Sequence, residues 1–188
     1  MSIGLLPGTT IETDLSKPDA AERMFSPMFM AGGLVLSQVS QLTGLEPHVI
    51  QNWVKRGFVS SPVAKKYSRR QFCRIVIINF LKDSFQLDRI VKMLQYINGS
   101  LSNEEDDLVD DYTLYGYFVK AVTKSGQAAF QGVDALRKTA AEASMAYPDN
   151  HPIAKRRLGE VLQIMLVAYA SARLKNTAEQ MLGALDQI

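Results

Sequence analysis

From residue 34 to residue 98, apolar residues return every three or four positions in short stretches closed by glycine or proline, the spacing that lays one side of a helix on a core. Ser37 stands as N-cap of a first short helix carrying Val39 and Leu42 inward, and Thr43-Gly44 ends it. Pro47 suits the first turn of the next helix, where its missing N–H would have had no partner. Gly57 stops that helix, with Lys55 and Arg56 at its negative end. The stretch VSSPVAKKY then reads as a short extended excursion, and Pro62 makes it a loop or a minimal hairpin. Ser68 and Gln71 form a capping box for a third helix, in which Phe72, Ile75, Val76, Ile78 and Phe80 run on to about Ser84. A fourth spans Leu87 to Ile97, with Ile90, Val91, Leu94 and Ile97 on one face and Asn98-Gly99 as its stop. The predicted order is helix, turn, helix, extended wing, helix, helix.

The flanks follow other patterns. Residues 1–33 hold Pro7, Pro18, Pro27 and Gly32-Gly33 around the cluster MFSPMFM, which predicts an arm with little regular structure. Its Met24, Phe25, Met28 and Phe29 are expected to pack on another part of the molecule. Beyond Gly99 the acidic run EEDD and the pair Asp110-Asp111 open a separate helical region over 99–188. Tyr112, Leu114, Tyr115, Phe118, Ala121 and Val122 recur at helical spacing, and Phe130, Val133 and Leu136 continue it after a soft point at Gly126. After Pro148 and Pro152 a last helix runs from about Ile153 to near Leu185. Between Leu158 and Leu174 it is apolar almost all round, so it is expected inside a bundle or across a homodimer interface through Val161, Leu162, Met165, Leu166 and Tyr169.

Composition narrows the class. With 188 residues, 47% of them hydrophobic, the chain can fold around a real core. No apolar run is long enough for a membrane span, and the N-terminus lacks the basic start and apolar block of a secretory signal, so a cytoplasmic protein without membrane contact is expected. One cysteine, Cys73, allows no internal disulfide and is read as a small core residue. Gly-rich phosphate loops, metal-ligand clusters and paired nucleophile and base are missing from the sequence, which argues against an enzyme and implies no cofactor. The net charge of +2 hides a segregation. Residues 34–98 carry ten Lys or Arg against Glu46, Asp83 and Asp88, a balance of +7, while the first 33 residues carry −2 and residues 99–188 carry −3. Positive charge gathered in a third of the chain points to a polyanion partner, since phosphate contacts supply most non-specific nucleic-acid affinity.

In the stretch LEPHVIQNWVKRGFV, residues 45–59, His48, Gln51, Asn52 and Lys55 share one helical face. A helix-turn-helix needs a small residue at the turn, apolar contact between its helices and a polar outer face on the second. Gly44 supplies the first, and Val39, Leu42, Leu45, Ile50 and Trp53 supply the second. For the third, Gln51 and Asn52 suit bidentate pairing with adenine and Lys55 can reach guanine or a phosphate. Lys65, Lys66, Tyr67, Arg69 and Arg70 extend the candidate DNA surface along the wing. Over 34–98 the order of elements resembles the winged helix-turn-helix domain of the MerR-type regulators, in which glycine, proline, isoleucine, an aromatic residue, glycine and two apolar residues stand where Gly44, Pro47, Ile50, Trp53, Gly57, Phe58 and Val59 stand here. The family's wing ends near Lys65, Tyr67 and Ser68, and its following segment is similar to Phe85, Leu87, Ile90 and Leu94. The chain departs from it at Glu46, where the family has serine, and at Gln51 and Asn52, where it has arginine and tyrosine. Over its full length the chain also resembles a bacterial family known as a domain of unknown function.

The expectation is therefore an all-α protein: an arm over 1–33, a MerR-like winged helix-turn-helix with a small wing over 34–98, and a C-terminal helical bundle over 99–188. As a homodimer it would bind double-stranded DNA and regulate transcription. The bundle either dimerises only or also takes a small-molecule effector. The alternative is a helical protein-protein interaction module that uses the helix-turn-helix as scaffold.

Overall fold

The computed structural model of the protein describes residues 3–17, 19–101, 107–125, 132–148 and 152–185. Two short strands, β1 (Ile3–Leu5) and β2 (Glu12–Asp14), pair antiparallel and lead into helix α1 (Ala20–Phe29). Strand β3 (Leu34–Val35) runs straight into α2 (Leu36–Thr43), which a short turn joins to α3 (Pro47–Lys55). Strand β4 (Lys66–Tyr67) returns to pair antiparallel with β3. Helices α4 (Arg69–Leu81), α5 (Leu87–Asn98), α6 (Asp111–Ser125), α7 (Val133–Met145) and α8 (Pro152–Leu185) complete the chain.

The predicted capping box starts α4. Ser68 Oγ accepts from Gln71 N at 3.2 Å and Gln71 Oε1 accepts from Ser68 N at 2.8 Å. Every residue from Gln71 to Ile78 is buried, so α4 is packed on all sides by α2, α5 and α6. It ends at Leu81, short of Ser84. The core is continuous from Leu6 through α4 to Ala170 in α8.

Three expectations change. The arm is structured: Phe25 of α1 is fully buried, edge-on to Phe72 of α4 at 5.2 Å and stacked on Tyr115 of α6 at 5.5 Å. The segment before it is tied down just as firmly. Tyr115 Oη donates to Pro7 O at 2.9 Å, Asn79 Nδ2 donates to both Gly8 O and Thr43 O, and Thr10 N donates to Leu42 O. Gly8, at φ 78°, lies so close to α4 that a Cβ there would stand 2.3 Å from Val76 O. Second, α2 starts two residues earlier than Ser37 implies, with Val35 at the N-cap, because Gln38 Oε1 accepts from Val35 N and takes over the capping. Third, Val161, Leu162, Met165 and Leu166 are buried against the chain's own helices and Tyr169 is half-buried, so they form no free interface. Val133 and Leu136 open α7, a helix of their own, while Gly126 and Phe130 lie outside the described residues, as do 104–106 of the acidic run.

Candidate nucleic-acid interface

The turn between α2 and α3 depends on Gly44, whose φ of 69° is the left-handed conformation that ends a helix without a Cβ clash. Ser40 Oγ donates to Leu45 O at 2.6 Å and holds the far side of the turn. Val39, Leu45, Ile50 and Trp53 are buried between the helices and Leu42 is half-buried, which confirms the apolar contact that the spacing predicts. Pro47 stands in the first turn of α3 with Glu46 at the N-cap, whose side chain makes no capping bond. With Ile50 and Trp53 turned inward, His48, Gln51, Asn52 and Lys55 are all exposed on the outer face.

The segment expected as a wing ends in β4, which pairs with β3, with Leu34 opposite Tyr67 and Val35 opposite Lys66. Gly33, at φ 112°, lets the strands approach: a Cβ there would lie 2.8 Å from Tyr67 O. A tight turn closes on Val63 and Lys66, with Lys66 N donating to Val63 O at 2.9 Å. Gln71 Nε2 donates to Ser60 O and Ser61 O, so the same residue that caps α4 also pins the base of the wing. Lys65 and Lys66 are exposed, and Lys66 Nζ reaches Ala31 O at 3.2 Å. Gln51 of α3 and Lys65 of the wing face one groove of about 380 Å³, floored by Leu36, Val54, Pro62 and Tyr67.

Of the nine predicted contact residues, Tyr67 lies in the floor of this groove and two arginines turn toward the bundle. Tyr67 is only 3% exposed, because strand alternation turns it inward as Lys66 turns out, and burial pushes its hydroxyl above the usual tyrosine range. The Arg70 side chain, 18% exposed, pairs with Asp107 and lies 3.9 Å from Asp111 Oδ2. Arg69 is exposed, with its guanidinium 3.8 Å from the Tyr112 ring centroid, over α6 rather than toward α3. Asp107 and Tyr112 thus draw both arginines toward the bundle. Sequence reading passed over Val63, which is 80% exposed at the wing turn. It also passed over Arg74, a cation that Ile75 and its apolar neighbours mask. Arg74 Nε donates to Phe58 O at 2.7 Å and Nη1 meets Asp111 Oδ2 at 3.2 Å, while Asn98 Nδ2 donates to Asp111 Oδ1 at 2.8 Å. Burial raises the Asp111 carboxyl, against the opposing pull of Arg74 and Asn98. No described helix is long and apolar enough to cross a membrane.

No solved structure matches the chain. An uncharacterized protein of Bacillus subtilis (strain 168), YkrK, is 31% identical over 84 residues, which cover 43% of this chain and 36% of that protein. The chain therefore spans about a third of the length of the curated relative it matches. Residues 31–118, from Ala31 before the glycine pair to the middle of α6, match the family described as a domain of unknown function, DUF1836.

Proposed function

We propose that the protein binds duplex DNA through α3 and the wing and acts in transcription regulation, with the winged helix-turn-helix arrangement of the MerR-type regulators as the nearest analogy. The observation that carries this is the shared groove of Gln51 and Lys65, which joins the polar face of α3 to the wing cations as one surface. Gln51 and Asn52 would read base edges, and Lys55, Lys65 and Lys66 would meet phosphates. Arg70 is left out of this set because its charge is spent on Asp107 and Asp111.

Fragments that the protein retains from a random DNA pool identify the preferred site, and titration of that site at rising salt tests the reading. Affinity is expected to fall by about 0.9 log units per phosphate contact for each tenfold rise in salt. Lys55→Ala and Lys65→Ala should each flatten that slope by about one contact, and Arg70→Ala should leave it unchanged. Affinity that stays flat with salt removes the reading. The apolar floor of the same groove favours one other reading, a protein-binding module on a helix-turn-helix scaffold, for which salt-insensitive capture of an apolar peptide is the signature.

A further inference from the structure

Helix α8 has two faces with two periods. Its buried residues, from Ala154 to Ala170, pack against α5, α6 and α7, and the last of them is Ala170. From Ser171 to Leu185 every residue but Ala172 is exposed, so about half of the helix stands clear of the described residues. A stretch of that length is marginal in water without packing. Along its open side, Ile164, Val167, Ser171, Leu174, Ala178, Met181 and Leu185 follow one another at alternating steps of three and four, and all seven are exposed. Met181 is 69% and Leu185 64% exposed, with Leu182 beside them at 63%. Strict alternation of three and four is the 3.5-residue period of a coiled-coil seam, whereas packing on a static core follows 3.6.

We infer that residues 167–185 pair antiparallel with the same segment of a second copy, crossing at Asn176. Two observations choose a second copy in this direction. The first is size. About Asn176, Ser171 falls opposite Met181, Leu174 opposite Ala178 and Val167 opposite Leu185, so small meets large in the central layers. A parallel pair would set Ser171 on Ser171 and Ala178 on Ala178 and leave gaps. The second is area. Val167, Leu174, Met181, Leu182 and Leu185 each offer roughly 60–120 Å² of apolar surface when fully covered. Counted in both copies, they come to about the 1,000 Å² that a specific interface needs.

This pairing does not rest on DNA binding, and its test uses none. Sedimentation of the full chain at micromolar concentration should give twice the chain mass. Leu174→Glu combined with Met181→Glu should halve that mass while the helical content of the rest of the chain stays, with at most the turns of 171–185 lost, because neither side chain is buried within one copy. For direction, a Leu174→Cys chain mixed with an Ala178→Cys chain should give mainly the mixed disulfide on mild oxidation, with the native Cys73 buried and out of reach. A monomeric wild-type chain, or a double-glutamate variant that stays dimeric, would overturn the interface. Self-linked Leu174→Cys and Ala178→Cys chains in place of the mixed species would overturn the antiparallel pairing.

Discussion

Ala64 and Lys65 turn the wing through the left-handed region, at φ 48° and 61°, where two-residue hairpins favour asparagine and glycine. Each L side chain there costs on the order of 1–2 kcal/mol, part of which glycine would return as extra freedom of the unfolded chain. Ala64→Gly is therefore expected to raise stability by about 0.5–1 kcal/mol in urea unfolding and to leave DNA affinity unchanged. Lys65→Gly relieves the same strain but removes the proposed phosphate contact, so its salt slope should drop. An unchanged slope would take Lys65 out of the interface. The neighbours Lys66 and Tyr67 show what residue type alone leaves open: both suit DNA chemically, and pleat alternation sends one to solvent and the other to the core.

At the scale of elements, local signals read well wherever they were closed locally. Ser68 with Gln71, Pro47 at the head of α3, Gly44 in the left-handed conformation and Gly99 after α5 all stand where the sequence places them. The outer face of α3 follows from the same spacing, and it carries a sharp expectation. Gln51→Ala and Asn52→Ala should each weaken binding to the preferred site by about 1–3 kcal/mol while non-specific binding holds, as competition titrations would show. An equal loss on all sequences would reduce both side chains to backbone contacts. The arm was illegible for a physical reason. Its proline and glycine content predicts irregular chain, yet α1 forms with Pro27 inside it because Phe25 gains a pocket between α4 and α6 that only the folded molecule provides.

Across the whole molecule, Arg74 and Asp111 tie the segment after α3 to the bundle. Arg74 holds Phe58 O just after α3, while Asp111 opens α6 and takes Asn98 from α5. Both charges are buried, so neither is cheap, and the raised carboxyl of Asp111 reflects that cost. Removing one partner is nonetheless expected to be worse than keeping both. Asp111→Asn leaves the guanidinium without its main counter-charge and should cost about 3–5 kcal/mol in chemical unfolding. A loss under about 1 kcal/mol would show that Arg70 and Asp107 carry the junction instead.

The sequence by itself determined the order of helices from 34 to 98, most of their caps, the apolar seam between α2 and α3 and the outward face of α3. These depend on contacts within about one turn, which spacing records directly. Tertiary structure alone decided that Arg70 turns to Asp107, that Arg74 pairs with Asp111 37 residues away, and that the Tyr115 hydroxyl reaches Pro7 across 108 residues. It also decided which part of α8 is covered, because an apolar helix reads the same on both faces until its neighbours stop at Ala170. Such outcomes are set by which surfaces meet after the chain collapses, and a residue's type says what it can do there without saying whom it will face.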